Sequence, residues 1–186
     1  MDKNRFPLIM KSIAAITALC TFLFVLLYFY LQQDWILTCS ISFGTTAYHF
    51  VMRLFVGYIV PKATGYRFDY RNAWFQPRTW EPAFYQKLNI RAWKGKLPTY
   101  APDQFSLKSN SLHQIIQNMC GAEIVHEIIM VLSLLPLLTV PFLGALPVFF
   151  ITSVLAALYD SIFMMAQRYN RPRLVRIYEK QEATHS

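Results

Sequence analysis

Six ionisable side chains stand in apolar stretches of this 186-residue sequence, where charge is not expected: His49, Arg53, Glu123, His126, Glu127 and Asp160. An ionisable group at membrane depth is costly and usually faces a partner, a cavity or a site. Spacing organises the six. His49 and Arg53 are four residues apart and Glu123 is three from His126, so each pair shares one helix face. In Glu-x-x-His the carboxylate can fix one imidazole tautomer and favour its protonated form, making His126 a candidate general base for a hydroxyl, oriented by Glu123. Arg53 is the candidate for supplying a fixed positive charge to that site, with His49, Asp160 and Glu127 supporting these groups from behind. Any one of the six could simply pair across helices to fix packing. Six at one depth favour a functional cavity.

A second constellation is basic. The segment QRYNRPRL sets Arg168, Asn170, Arg171 and Arg173 in a short polar stretch directly after the last apolar run. Arginine suits bidentate phosphate contacts, and a plain topogenic stop signal would need charge alone. With Lys94 and Lys96 these residues form a candidate phosphate-binding site, for anionic lipid headgroups or a phosphorylated substrate. Other chemistry is thin. Glu-x-x-His occurs once, whereas di-iron bundles need it twice with two further carboxylates. His49, His126, Glu123 and Asp160 could hold a single ion, but nothing in their spacing demands one, and no metal is expected. Cys20, Cys39 and Cys120 show no paired spacing and read as packing residues. No Gly-x-Ser-x-Gly, phosphate-cradling glycine loop or nucleotide fingerprint is present, so no cofactor is expected.

The elements that must position these groups follow from composition. The chain is 55% hydrophobic and 15% charged, too apolar for a disordered segment and too poor in charge for a soluble domain of its length. Four stretches are long enough to cross a hydrocarbon core: about 7–31, 35–60, 121–140 and 147–167. The net charge of +8 would raise nucleic acid as a partner in a soluble protein. Its distribution argues against that. Of eighteen Lys and Arg, three lie in the first eleven positions, nine between Lys62 and Lys108, and five after Gln167. Basic blocks separated by apolar runs are the signature of positive-inside topology. The fold expected is therefore an all-α integral membrane domain of four spans with both termini cytoplasmic, a cytoplasmic loop 61–120 and a basic tail 168–186, multi-pass in the bacterial inner membrane.

The loop is expected to carry an interfacial amphipathic helix. Thr79 is a candidate N-cap and Pro82 fits a first turn, after which Phe84, Tyr85, Leu88, Ala92 and Trp93 recur at helical spacing. Leu112, Ile115, Ile116 and Met119 after Ser111 form a second amphipathic run leading into the third span.

QRYNRPRL, preceded by Ala122-Glu123-x-x-His126 and by Arg91-x-Trp93-Lys94-x-Lys96, resembles the glycosyl-4,4′-diaponeurosporenoate acyltransferase family over roughly residues 68–175. Its members are small bacterial membrane enzymes that esterify a sugar hydroxyl of a glycosylated carotenoid. The resemblance implies transfer of a fatty acyl group from a cytoplasmic-side co-substrate such as acyl-CoA to a hydroxyl of a glycolipid or carotenoid-like acceptor, with membrane lipids around the protein. On that reading Lys94, Lys96, Arg168, Asn170, Arg171 and Arg173 hold the donor's phosphates and Arg53 steadies the oxyanion. Glu127 stands where that family has a tryptophan. Two other readings remain open: a non-enzymatic lipid-binding accessory protein, and a small proton-coupled carrier, which with so few spans requires a homo-oligomer.

Overall fold

The computed structural model describes residues 5–65 and 67–185. The outermost residues of the two termini expected on the cytoplasmic side, 1–4 and 186, lie outside the described residues. Helices dominate and no strand occurs among the described residues. In chain order they are α1 (Phe6–Leu31), α2 (Asp34–Thr64), α3 (Glu81–Lys87), α4 (Ile90–Trp93), α5 (Leu112–Leu132), α6 (Val140–Leu143) and α7 (Leu146–His185), with short 3-10 turns between several of them.

Three of these stretches are long and apolar enough to cross a membrane: Phe6–Leu31, Leu112–Leu143 and Leu146–Thr184. Four were expected. The 31-residue α2 has the length, but its Ser and Thr residues with His49 and Arg53 dilute its apolar character. Large side chains on α1 point outward without cover. Leu8, Ile16, Leu19, Phe22 and Phe29 are each 59–71% exposed, whereas Ala14 and Thr17 are the buried residues of that helix. A water-soluble protein does not display so broad an apolar face, but lipid covers one at no cost. The protein is a helical membrane protein.

Two compact units form within the chain. The first comprises the chain up to Tyr58 with Ile128–Asp160, and the second Ile59–Glu127 with Ser161 onward. In the first, α1 and α2 make the expected hairpin across Gln32, which takes a left-handed φ of 53° and donates its N–H to the Tyr28 carbonyl at 2.8 Å. The helices come close where Gly44 faces Thr21: a Cβ there would lie 3.3 Å from Thr21 Cγ2. Phe24 stacks on Phe43 beside that approach. Gly144, with φ of 65°, makes the turn between α6 and α7.

The second unit carries the expected α5 entry. The Ser111 hydroxyl accepts from the Gln114 N–H at 3.1 Å, and Ile115, Ile116 and Met119 are buried. The helix of the third span ends at Leu132, short of the expected 140, because Pro136 and Pro141 cannot continue its ladder and set a 3-10 turn and the short α6. The fourth runs beyond its expected end. α7 continues unbroken through Pro172, so the basic tail is helix and not a separate segment. The core of this unit gathers Tyr70, Phe75, Ile116 and Cys120, with Leu174 and Val175 of α7 against them.

The loop helix is shorter than its sequence pattern implies. Trp80, not Thr79, precedes its first turn, and the helix breaks at Asn89, which adopts a left-handed φ of 48°. Tyr85 and Ile90 turn inward and Phe84 and Leu88 outward, so the apolar residues do not share one continuous face. Asparagine tolerates this backbone conformation and β-branched residues do not. Replacing Asn89 by Val should therefore destabilise the protein by about 1–2 kcal/mol, while Asn89→Gly should not, as read from thermal unfolding in detergent.

Candidate functional site

Arg168 is the centre of the second unit. Its guanidinium is 7% exposed and has all five N–H groups engaged. Nε and Nη2 donate to Glu81 Oε1 at 3.0 and 2.7 Å, and Nη1 donates to Glu123 Oε1 at 2.5 Å. The remaining two go to the main-chain carbonyls of Trp74 and Gln76, both at 3.0 Å. Arg171, one turn on and 2% exposed, donates to the other Glu123 oxygen and to the Phe75 carbonyl, with its guanidinium 5.0 Å from the Phe75 ring centroid. Three consecutive carbonyls, at 74, 75 and 76, are thus strapped to α7.

Charge explains why this is tolerable. Two arginines face two carboxylates, Glu81 at 2% and Glu123 at 0% exposure, so the buried group is neutral as a whole. Burial alone disfavours the charged guanidinium, but the two carboxylates and the filled donors more than offset it. The local sequence builds the strap: Asn72 Oδ1 accepts from the Trp74 N–H at 2.9 Å, starting the Ala73–Phe75 turn that exposes its carbonyls to α7. Burial, and after it the negative charge of Glu81, pushes the neighbouring Tyr85 phenol up to about 12.

These contacts redistribute the expected site. Glu123 was expected to orient His126, but each of its oxygens receives an arginine. Arg168 and Arg171 were expected to hold phosphate, but Arg168 has all five donors engaged inside the protein and Arg171, 2% exposed, donates to Glu123 and the Phe75 carbonyl. Glu81 is the member that sequence reasoning missed. The signal for it was charge balance: the loop holds few acids, and buried arginines require some.

Around this network lie the groups that remain accessible. His126 is half-buried, lying flat on Phe163 of α7 with ring centroids 5.1 Å apart at 16°. Glu127 accepts from Trp74 Nε1 at 2.9 Å. Lys94 donates to Asn170 Oδ1 and sits 4.5 Å from the Tyr169 ring centroid, and Tyr169 in turn packs edge-on to Tyr85. Burial lowers the Lys94 pKa below its ordinary 10.5, and the nearby charges of Arg173 and Arg91 lower it further. Arg173 and Lys96 are exposed. Phe163 and Asn170 are seven residues apart on one helix, hence on nearly the same face and about 10 Å apart along the axis. One strip of α7 therefore meets His126 of α5 at one end, through Phe163, and a concentration of cations at the other.

The remaining three expected residues belong to the first unit. Arg53 Nη2 meets Asp160 Oδ2 at 2.5 Å and the Ala156 carbonyl at 3.1 Å, and Nη1 donates to the His49 carbonyl at 3.0 Å. The six groups expected at one depth fall three to each unit. Among the described residues, no three His, Cys, Asp or Glu side chains converge as a metal site would require.

A helical membrane protein with a neutral buried Arg–Glu network under a cationic strip is the class that fold and site define. The chain belongs to the glycosyl-4,4′-diaponeurosporenoate acyltransferase (CrtO) family, whose model matches residues 71–180, more than half of its length. The match contains the whole network, His126 and Lys94, and it leaves out His49 and Arg53. No curated protein and no solved structure matches the chain significantly. The family is one of acyltransferases, and this protein is an acyltransferase-family membrane protein.

Removing one charge from the network leaves the others buried and uncompensated. Glu123→Gln should cost about 3–5 kcal/mol of stability, visible as a lower unfolding temperature in detergent, and Arg168→Lys should also destabilise because an ammonium cannot fill five fixed acceptor directions.

Proposed function

We propose that the protein transfers a fatty acyl group from a donor on the cytoplasmic side to a hydroxyl of a glycosylated carotenoid-like or glycolipid acceptor in the membrane. The single observation that carries this reading is the α7 strip: a half-buried imidazole and a group of cations, about 10 Å apart along one helix face, inside the segment that the acyltransferase family shares. A donor with an anionic head and a distant acyl carbonyl can span such an arrangement.

The chemistry follows from what is accessible. His126 accepts the proton of the acceptor hydroxyl as its oxygen attacks the donor carbonyl, the tetrahedral intermediate collapses, and the donor's thiol or other leaving group departs, taking up a proton. Lys94, Arg91, Lys96 and Arg173 hold the anionic part of the donor, and Asn170 fixes Lys94. Glu123 serves this site at one remove, by anchoring the arginines that pin α7 to the loop, and Glu127 is the nearer carboxylate in sequence to His126. Arg53, with Asp160 and His49, remains a candidate for a supporting role, and its guanidinium is already charge-balanced. α2 supplies the fourth span of the arrangement, with both termini and the 61–120 loop on the cytoplasmic side.

Two measurements test the reading. Membranes of cells expressing wild-type protein should contain an ester-linked lipid that is missing with His126→Ala, while the variant retains the wild-type unfolding temperature. An unchanged lipidome favours a lipid-binding accessory protein or a carrier. Loss of one hydrogen-bonding or charged contact to the donor, as in Arg173→Ala, should raise the donor KM by roughly tenfold and leave kcat nearly unchanged. Arg173, and not Arg168, is the informative position, because Arg168 fails for structural reasons whatever the function.

The pH dependence has a definite sign. The folded-state pKa of Lys94 lies below its unfolded value, so the charged form is disfavoured by folding and its charge is lost at lower pH than in an ordinary lysine. Donor binding should weaken as pH rises towards 10.5, and Lys94→Arg should remove that weakening. Stability itself should rise over the same range, because the penalty of the buried charge disappears.

A further inference from the structure

Helix α3 has two faces with opposite roles. Glu81 and Tyr85 point into the second unit, 2% and 5% exposed, and Glu81 accepts from the Arg168 guanidinium. Trp80 and Leu88 flank the helix with right-handed helical backbone as well, so residues 80, 84 and 88 continue one row at a spacing of four. That row points outward. Trp80 is 53%, Phe84 41% and Leu88 40% exposed, with the Trp80 and Phe84 rings packed edge to face at 5.6 Å. Trp93 Nε1 donates to the Leu88 carbonyl at 2.9 Å and closes the end of the row.

Charge accompanies the row. Between Arg71 and Pro102 the sequence holds six Lys or Arg and one acid, Glu81, which is buried and paired with Arg168. Lys87 follows Phe84 by three residues, hence on the same side, and Arg78 stands two residues before Trp80; both are exposed. A row of large apolar groups bordered by cations is unsuited to water, and a twofold contact through it would bring two cation-rich surfaces together. It matches the interfacial layer of an anionic bilayer, where apolar side chains reach past the headgroups and cations meet phosphates. The bilayer is at hand, because the loop leads directly into α5, which opens the stretch Leu112–Leu143 that is long and apolar enough to cross a membrane.

We propose that Trp80, Phe84 and Leu88 dock into the headgroup layer of an anionic phospholipid bilayer, with Arg78 and Lys87 on its phosphates. Glu81 lies on the other face of the same helix, so docking holds the Arg168 network one helix diameter, about 10 Å, from the lipid. The assignment does not rest on the acyl-transfer reading, because docking is read without turnover.

The test uses full-length protein in nanodiscs of equal parts phosphatidylcholine and phosphatidylglycerol, with nitroxide labels at Phe84→Cys, Leu88→Cys and, as an exposed position off the row, Gln86→Cys. Cys20→Ala and Cys39→Ala remove the partly buried thiols, and the buried Cys120 stays. Labels at 84 and 88 should collide more often with oxygen, which concentrates in lipid, than with a nickel chelate, which stays in water, and the label at 86 should show the reverse. Read from those collision rates, Arg78→Gln and Lys87→Gln should each lower the docked-to-undocked ratio roughly fivefold, while Lys87→Arg keeps it. In unlabelled protein, brominated phosphatidylglycerol should quench a fluorescence component that Trp80→Phe removes. Chelate access at 84 and 88 equal to that at 86, or a quenched component unchanged by Trp80→Phe, overturns the proposal. Shielding of both labels from oxygen and chelate alike overturns it in favour of a protein partner, a second copy included. Unchanged ratios in both glutamine variants overturn the phosphate contact.

Discussion

A buried guanidinium must satisfy five N–H groups and find a compensating charge, and the organisation of the second unit follows from how Arg168 meets that demand. Two acceptor directions are filled by Glu81 and one by Glu123, which brings the loop helix and α5 to α7. The other two take main-chain carbonyls from the Trp74–Gln76 turn, so an irregular loop becomes fixed to a helix. Arg171 repeats the pattern one turn later. A network of this kind adds little net stability compared with well-packed apolar residues, because desolvation offsets most of the attraction. What it supplies is position: with its charges balanced, it admits few alternatives.

Position matters because the accessible groups pack against the same helix. Lys94 and His126 reach α7 from a loop and from α5 respectively, and neither would hold a fixed separation if the loop moved independently. The buried arginines and the exposed cations, which lie together in sequence within QRYNRPRL, therefore separate by role. Arg168 and Arg171 hold the frame, while Arg173 is exposed and Lys94 is half-buried against Asn170 and Tyr169. The 3.6-residue helical period explains the division, since residues 168 and 171 share a face that 173 does not.

Much of the fold was legible in the sequence because apolar length and charge distribution are global signals. The α1–α2 hairpin, the entry of α5 after Ser111 and the apolar body of α7 all follow from them. Local competition was less legible. The break at Asn89 and the inward turn of Tyr85 depend on tertiary burial that no periodicity in residues 80–93 records, and the second span fell short because polar residues at helix contacts resemble polar residues at a boundary. At the site, the residue types were visible but their partners were not. Glu-x-x-His placed Glu123 and His126 on one face, yet two guanidiniums from forty-five or more residues away claimed the carboxylate. Glu81 could be found only by asking which acid would balance those arginines.

The central claim is that Arg168 holds the loop to α7 and thereby sets the site. Amide hydrogen exchange on wild-type and Arg168→Lys protein in the same detergent tests it most directly. Exchange should accelerate selectively across residues 73–90, with α1 and the first half of α2 unchanged. Equal protection of that segment in both proteins would contradict the account.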